Sequence, residues 1–206
     1  MSSVRVFIEV TSPLAFLPLG DSSVCATAVK RAQEAKCRPA VSLFISPDLR
    51  GVYQELSQKL KTHVELEASQ TLFEALRNVQ EEFVLVHEAL RPLTLPKTFD
   101  EVVLALQSGS QAARPAHVVV DTLKTVTREF MVEQTIDREK MQSLTSPEGY
   151  VKNNIVGVDS GVWHFQVENP TTIHYVRGDQ ESIKVRQAED VVLVESFLAW
   201  QTITKS

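Results

Sequence analysis

The strongest constraint on this chain is an alternation. Apolar, β-branched runs at residues 4–10, 40–45, 64–66 and 83–86 take turns with longer segments that read as helices. Asp21, Ser22 and Ser23 offer caps for a first helix ending near Lys36. Pro47-Asp48 opens a second through Lys61, Ser69 precedes a third over 70–78, and a fourth covers 96–106. Strands alternating with helices of roughly 10–15 residues mark βαβ units, because parallel strands need a long crossover and a helix builds one compactly. The pattern predicts an α/β, Rossmann-like fold with a mostly parallel sheet flanked by helices. Ligands of such sheets sit in the crevice beyond the carboxyl ends of the strands. The run at 83–86 leads straight into His87-Glu88-Ala89-Leu90-Arg91-Pro92, which places His87, Glu88 and Arg91 at such an end.

After the fourth helix the pattern changes. Extended runs at 116–124 and 130–135 surround a polar stretch at 125–129 and predict a hairpin standing off the sheet, an arm at about 121–136. A protruding hairpin exposes strand edges, and self-association covers them most simply, so a homodimer through the arm is expected. Residues 138–144 read as a short helix ended by Ser146-Pro147. Residues 152–169 follow no clear period, 172–176 and 182–185 look strand-like, and a closing helix covers about 188–200. With no internal repeat or linker, residues 1–206 are expected to form a single domain with an arm.

Charge and cysteine content narrow the partners. A net charge of -5 and a pI near 5.6, with scattered lysines and arginines, argue against nucleic acid. There is no polybasic run to hold a membrane surface and no apolar run long enough to span one. The start Met-Ser-Ser-Val-Arg-Val lacks the form of a signal peptide. Cys25 and Cys37 match no metal or redox spacing and read as reduced thiols, so a cytoplasmic location is expected. The five histidines never fall at zinc-ligand spacing.

A nucleotide-binding sheet normally follows its first strand with a glycine-rich turn, since glycine lets backbone N–H groups approach a phosphate. Here Thr11-Ser12-Pro13 follows instead, and the first glycine is Gly20. Asp121-Thr122-x-Lys124, Asp137-Arg138 and Lys184 supply cations and hydroxyls of the kind that hold a phosphate.

Taken in order, these pieces resemble the methylerythritol-phosphate cytidylyltransferases of isoprenoid-precursor synthesis and their relatives that act on ribitol phosphate. Val86-His87-Glu88-Ala89-Leu90-Arg91-Pro92 matches the family's Val-His-Asp-Ala-x-Arg-Pro, and Asp121-Thr122-Leu123-Lys124 its Asp-Thr-x-Lys at the start of an arm. Thr135-Ile136-Asp137-Arg138 resembles Thr-x-Asp-Arg, and Thr145-Ser146-Pro147-Glu148 the later Gln-Thr-Pro-Gln. Gly178, Ser182-Ile183-Lys184 and Glu189-Asp190-Val191 resemble the closing Gly, Asn-Ile-Lys and Glu-Asp-Leu. The likeness covers nearly the whole chain and implies the nucleotide-diphospho-sugar transferase type of fold. It also implies a ligand-binding set of His87, Glu88, Arg91, Asp121, Thr122, Lys124, Arg138, Ser146 and Lys184. In the family the arm's threonine and the Asp-Arg arginine reach across a dimer to the acceptor sugar phosphate.

The departures are as specific as the matches. Family members place Ala-Ala-Gly-x-Gly-x-Arg after the first strand and then Pro-Lys-Gln. Here the chain resumes at the counterpart of that Pro-Lys-Gln, with Leu14 where the lysine stands and no loop before it. Glu67-Ala68-Ser69 lies near the place of the Gly-Gly-x-x-Arg that holds the cytosine. Glu88 replaces the metal-side aspartate, one methylene longer where an octahedral Mg²⁺ is met at about 2.1 Å. The resemblance therefore implies a cytidylyltransferase-like protein whose transfer reaction is lost or much weakened, binding a phosphorylated ligand or a protein partner. The alternative is an active CTP-dependent transferase acting on methylerythritol phosphate or a related sugar-alcohol phosphate. Mg²⁺, held by Glu88, is implied only by that alternative, and no other cofactor is expected.

Overall fold

A computed structural model describes residues 3–51, 65–67, 71–159, 161 and 163–204. Its centre is β1 (Val4–Val10), which turns through a 3₁₀ segment at Pro13–Phe16 into a small ribbon of β2 (Pro18–Leu19) and β3 (Ser22–Ser23). There follow α1 (Val24–Gln33), β4 (Ala40–Ile45), β5 (Glu65–Leu66), α2 (Leu72–Asn78), β6 (Phe83–Glu88) and α3 (Pro96–Gln107). The second half holds β7 (Ala112–Val118), β8 (Leu123–Val126), β9 (Val132–Ile136), β10 (Gln142–Leu144) and β11 (Glu148–Val151). Then come β12 (Ile155–Val158), β13 (Phe165–Val167), β14 (Ile173–Arg177) and α4 (Asp190–Thr204).

An eight-stranded sheet runs β10-β7-β11-β6-β1-β4-β5, with β14 on the other side of β7. The β6-β1-β4-β5 half is parallel, as is β14 to β7, whereas β10 and β11 run antiparallel to their neighbours. The parallel half is buried on both faces, which is why its strands read as near-continuous apolar runs. Val6, Ile8 and Val10 pack with Leu43, Leu85, Phe99 and Val102 toward α1 and α3. Phe7, Phe44, Val84 and Val86 pack with Leu72, Leu76, Tyr150 and Phe165 on the opposite side.

The helices start where capping chemistry allows. Ser23 Oγ accepts from Ala26 N at the head of α1. Thr71 and Glu74 form a reciprocal capping box on α2, while the expected cap, Ser69, lies outside the described residues. Of the helix expected over 47–61, a 3₁₀ turn at Pro47–Leu49 is seen and residues 52–61 lie outside the described set.

Three expectations in the second half need correction. Residues 138–144 are not one helix: a 3₁₀ turn at Arg138–Lys140 gives way to β10, because Gln142–Leu144 finds β7 as a ladder partner. Tertiary pairing overrides local preference there. Residues 182–185 form no strand and are held by tethers described below. The stretch without a clear period, 152–169, contains the antiparallel pair β12–β13.

β10 and β11 are one strand broken in the middle. From Leu144 to Gly149 this strand advances five residues while β7 retreats three, from Ala116 to Ala113. The surplus, around Thr145-Ser146-Pro147, bulges out of the ladder toward the end of β6. Gly149 then lies beneath α3, where a Cβ would collide with Val102 Cγ1. The arm is the antiparallel pair β8–β9, which carries exposed Val126, Phe130, Met131 and Val132. Among the described residues no helix is long and apolar enough to cross a membrane.

Candidate functional site

The amides of β6 alternate in direction. Ala89 N continues the ladder to Glu9 O of β1, at 3.0 Å. Glu88 N faces the other way, beyond the start of β11, and Ser146 Oγ accepts its hydrogen bond at 3.0 Å. The same hydroxyl lies 2.8 Å from His87 Nδ1. In the tautomer that carries the ring hydrogen on Nε2, Ser146 Oγ–H donates to Nδ1 while accepting from the amide. Nε2 is buried without a partner, and the ring meets Phe99 edge-on at 5.0 Å. Burial pushes the imidazole pKa down to about 4, so His87 is neutral.

The Glu88 side chain is partly exposed. Its Oε2 accepts from Arg91 Nε at 3.0 Å and Lys184 Nζ at 3.1 Å. Burial pushes its carboxyl pKa up, but the charges of Arg91 and Lys184 outweigh this and hold it below the usual range. Lys184 comes from the 178–185 segment, which reaches the site through tethers rather than a ladder. Gly178 N donates to Ala116 O at 2.8 Å, and Val185 N to Leu90 O at 2.8 Å. Ser182 Oγ meets Thr94 Oγ1 at 2.7 Å, and Arg91 donates to Ser182 O. Asp179 Oδ2 accepts from Thr98 Oγ1 at 2.8 Å and Leu95 N at 3.3 Å. It thereby ties the head of α3, whose N-cap Leu95 has no capping side chain, to this segment. Between these parts lies a cavity of about 390 Å³ lined by Arg91, Thr145, Ser182, Lys184 and Arg186 among others.

Of the nine residues expected at the site, His87, Glu88, Arg91, Ser146 and Lys184 come together here. Asp121, Thr122, Lys124 and Arg138 do not; they lie exposed on and beside the arm. There Lys124 Nζ donates to Thr135 Oγ1 at 2.6 Å, and Arg138 donates to Val120 O. The turn after β1 offers no cradle of the glycine type. Leu14 N is bound to Ser12 Oγ, Ala15 N to Ser12 O and Leu17 N to Leu14 O, so these amides serve the turn itself.

The family model described as 2-C-methyl-D-erythritol 4-phosphate cytidylyltransferase, IspD, matches residues 6–160. The chain belongs to this family. It is 34% identical to the enzyme of that name from Frankia casuarinae over 137 residues, 61% of this chain and 50% of that protein. It is 25% identical to the Bacillus cereus (strain ATCC 14579) enzyme of the same name over 206 residues, 90% of this chain and 89% of that one. The chain thus spans about half the length of the first curated relatives it matches. Its fold is that of 4-diphosphocytidyl-2C-methyl-D-erythritol synthase from Anaerococcus prevotii, with a TM-score of 0.75, 20% identity and 96% of each chain covered. The cytidylyltransferase from Thermus thermophilus gives a TM-score of 0.68 at 19% identity, covering 97% of this chain and 100% of that one.

One further charged cluster joins Glu148, the last residue of the Thr145–Glu148 motif, to three residues that lie in none of the motifs noted in the sequence. Glu148 binds Arg114 NH1 through Oε1 at 2.5 Å and His164 Nδ1 through Oε2 at 2.8 Å, and His164 Nε2 reaches Glu9 Oε2 at 3.1 Å. The available signal was charge inside an apolar run: Glu9 within β1 and Arg114 within β7. Such charges persist in a core only when paired. No group of three or more His, Cys, Asp or Glu able to hold a metal forms among the described residues. Mg²⁺ in phosphate-transfer sites is held mostly by substrate phosphates and water with one or two carboxylates, and Glu88, whose partners Arg91 and Lys184 line the cavity, is a carboxylate that fits such a role.

Proposed function

We propose that the protein carries out the transfer for which its family is named, slowly. In that reaction a phosphate oxygen of a sugar-alcohol phosphate attacks the α-phosphorus of CTP, the bond to the β-phosphate breaks, and pyrophosphate leaves. The observation that carries the reading is the Glu88–Arg91–Lys184 cluster set beside Ser146 at the end of β6. Arg91 and Lys184 bring positive charge to incoming phosphates, Ser146 brings a hydroxyl, and Glu88 would hold Mg²⁺. The metal, when bound, neutralises phosphate charge in the transition state. Thr122 and Arg138 complete the acceptor side from the arm of a second protomer in this proposal, and the arm's exposed Val126, Phe130 and Met131 support such a dimer.

The reaction is slow because transfer of this kind depends on positioning and charge stabilisation. Each electrostatic donor missing from a transition state costs about 10²–10³ in rate. The amides of the turn after β1, which donate to acceptors of the turn itself, favour a second reading: a phosphorylated ligand binds without turnover.

Incubation with CTP, 2-C-methyl-D-erythritol 4-phosphate and Mg²⁺ separates the two, with pyrophosphate release and thermal unfolding both followed. Slow pyrophosphate release matched by cytidylylated product is the expected result. A CTP-dependent rise in unfolding temperature without product selects the second reading. Neither signal at millimolar ligand overturns both.

A further inference from the structure

Thr145, Ser146 and Pro147 lie where the strand leaves its ladder, so backbone pairing alone does not fix them. Thr145 N keeps one contact, to Pro115 O at 2.9 Å. The remaining anchors are side chains. Arg114 Nε donates to Thr145 O at 2.7 Å, and the same guanidinium pairs with Glu148. Glu148 Oε2 accepts from Tyr150 OH at 2.6 Å, from His164 N at 3.0 Å and from His164 Nδ1 at 2.8 Å. The second ring nitrogen of His164 continues to Glu9, at the end of β1. Burial disfavours charge on this ring, but Glu148 and Glu9 outweigh it and push the imidazole pKa up to about 10. Both nitrogens therefore donate, and the ring acts as a bridge with a carboxylate at each end.

The bridge spans β6. Glu9 pairs in register with Glu88, and Glu148 pairs with Val86 from the other side. We propose that His164 is a positioning residue for the β6 exit: by tying Glu9 on β1 to Glu148 on β11, it holds the broken strand where Ser146 meets both His87 and the Glu88 amide. Glu148 is separated from Ser146 by Pro147 alone, so loosening the carboxylate loosens the hydroxyl. This role does not depend on whether the site turns over CTP, since it concerns geometry present without ligand.

Amide hydrogen exchange followed by NMR tests it. In His164→Gln the Glu88 amide is expected to lose about tenfold in protection, the scale of one weakened hydrogen bond. The amides of Leu85 and Phe44, deeper in the same sheet, should be unchanged. Glu9→Gln, which weakens the far end of the bridge but keeps its shape, should give a smaller loss in the same direction. It carries the test should His164→Gln fail to fold. In Ser146→Ala, where the amide has already lost its acceptor, adding His164→Gln should change Glu88 exchange no further. A uniform change at Glu88, Leu85 and Phe44 overturns the proposal, because it marks a merely structural residue. Unaltered protection at Glu88, or additive losses in the double variant, overturn it as well.

Discussion

Two carboxylates at the top of the sheet, Glu88 and Glu148, are built on one plan and sit in different places. Each is held between two cations, Arg91 and Lys184 for the first, Arg114 and His164 for the second, with contacts from 2.5 to 3.1 Å. Burial works against the charge on each, and the cations outweigh it in both. What differs is access. The Glu88 side chain is 22% exposed, and its partner Lys184 is 36% exposed on a cavity. The Glu148 side chain is 3% exposed, and its carboxylate oxygens bind Arg114, Tyr150 and His164. Paired charges facing a cavity can exchange partners for those of a ligand; paired charges sealed in a core can only hold the chain. The same ion chemistry thus gives a binding wall in one place and a strut in the other.

The sharpest way to break this comparison is to delete both carboxylates and measure stability. Glu148→Ala strands the Arg114 guanidinium in a buried site and should cost about 3–5 kcal/mol in chemical denaturation. Glu88→Ala leaves Lys184 able to turn toward water and Arg91 still bound to Ser182 O, and should cost less, about 1–2 kcal/mol. Equal losses would mean that Glu88 is a strut too.

The two clusters also differ in how legible they were. Glu88, with His87 and Arg91, follows a strand whose β-branched run ends in polar residues, and a strand exit is local enough to read. The parallel half was equally plain: β1 and β4 have the expected bounds, and β6 runs on to Glu88 only because Glu9 still pairs with it. The strut is assembled from β1, β7, β11 and His164 ahead of β13, so no stretch of sequence contains it. β11 itself was missed because four residues with a glycine carry no strand signal of their own. Gly149 is there so that α3 can pack closely, a need that appears only once both elements are placed. The 182–185 run looked like a strand by composition, yet its position is set by Thr94, Leu90 and Arg91, all remote in sequence.

The histidines of the two clusters sharpen the contrast through pH. His87, on the site side, is buried, and desolvation outweighs the nearby charge of Glu88, so its pKa is lowered from 6.5 to about 4. As pH falls, the unfolded chain takes up this proton first, so stability is lost from about pH 6.5 down to about pH 4. His164, in the strut, has its pKa raised from 6.5 to about 10. Its contribution is complete below pH 6.5 and is lost as pH rises through 10. The carboxyl of Glu148, held below its usual range, begins to lose its share as pH falls through about 4.5, at the foot of the His87 window, and loses the rest below it. Unfolding free energy measured from pH 4 to pH 10 should therefore fall at both ends. His87→Gln should flatten the acid limb by on the order of 3 kcal/mol and leave the alkaline limb in place. His164→Gln should flatten the alkaline limb alone. An acid limb untouched by His87→Gln would show that this imidazole is charged in the folded protein, and with it the neutral Ser146–His87 contact would go.

The smallest expected change in stability carries the finest distinction. Glu88→Gln keeps the shape of the side chain and removes its charge, so stability should move by less than about 1 kcal/mol. Binding should move in two directions. Without a metal, Arg91 and Lys184 lose the carboxylate that competes for them, so inorganic pyrophosphate should bind more tightly than to the unaltered protein. With Mg²⁺ present, the variant lacks the carboxylate proposed to hold the ion, so the gain that Mg²⁺ brings to CTP binding should shrink. Isothermal titration of both ligands, with Mg²⁺ and with a chelator, reads the two effects separately. A strut predicts neither, because removing an internal bond weakens every ligand alike. If pyrophosphate without metal and CTP with metal both bind more weakly to Glu88→Gln, by the same factor, then Glu88 serves the fold as Glu148 does. The working site would then have to be sought along the cavity beyond it, toward Lys184 and Arg186.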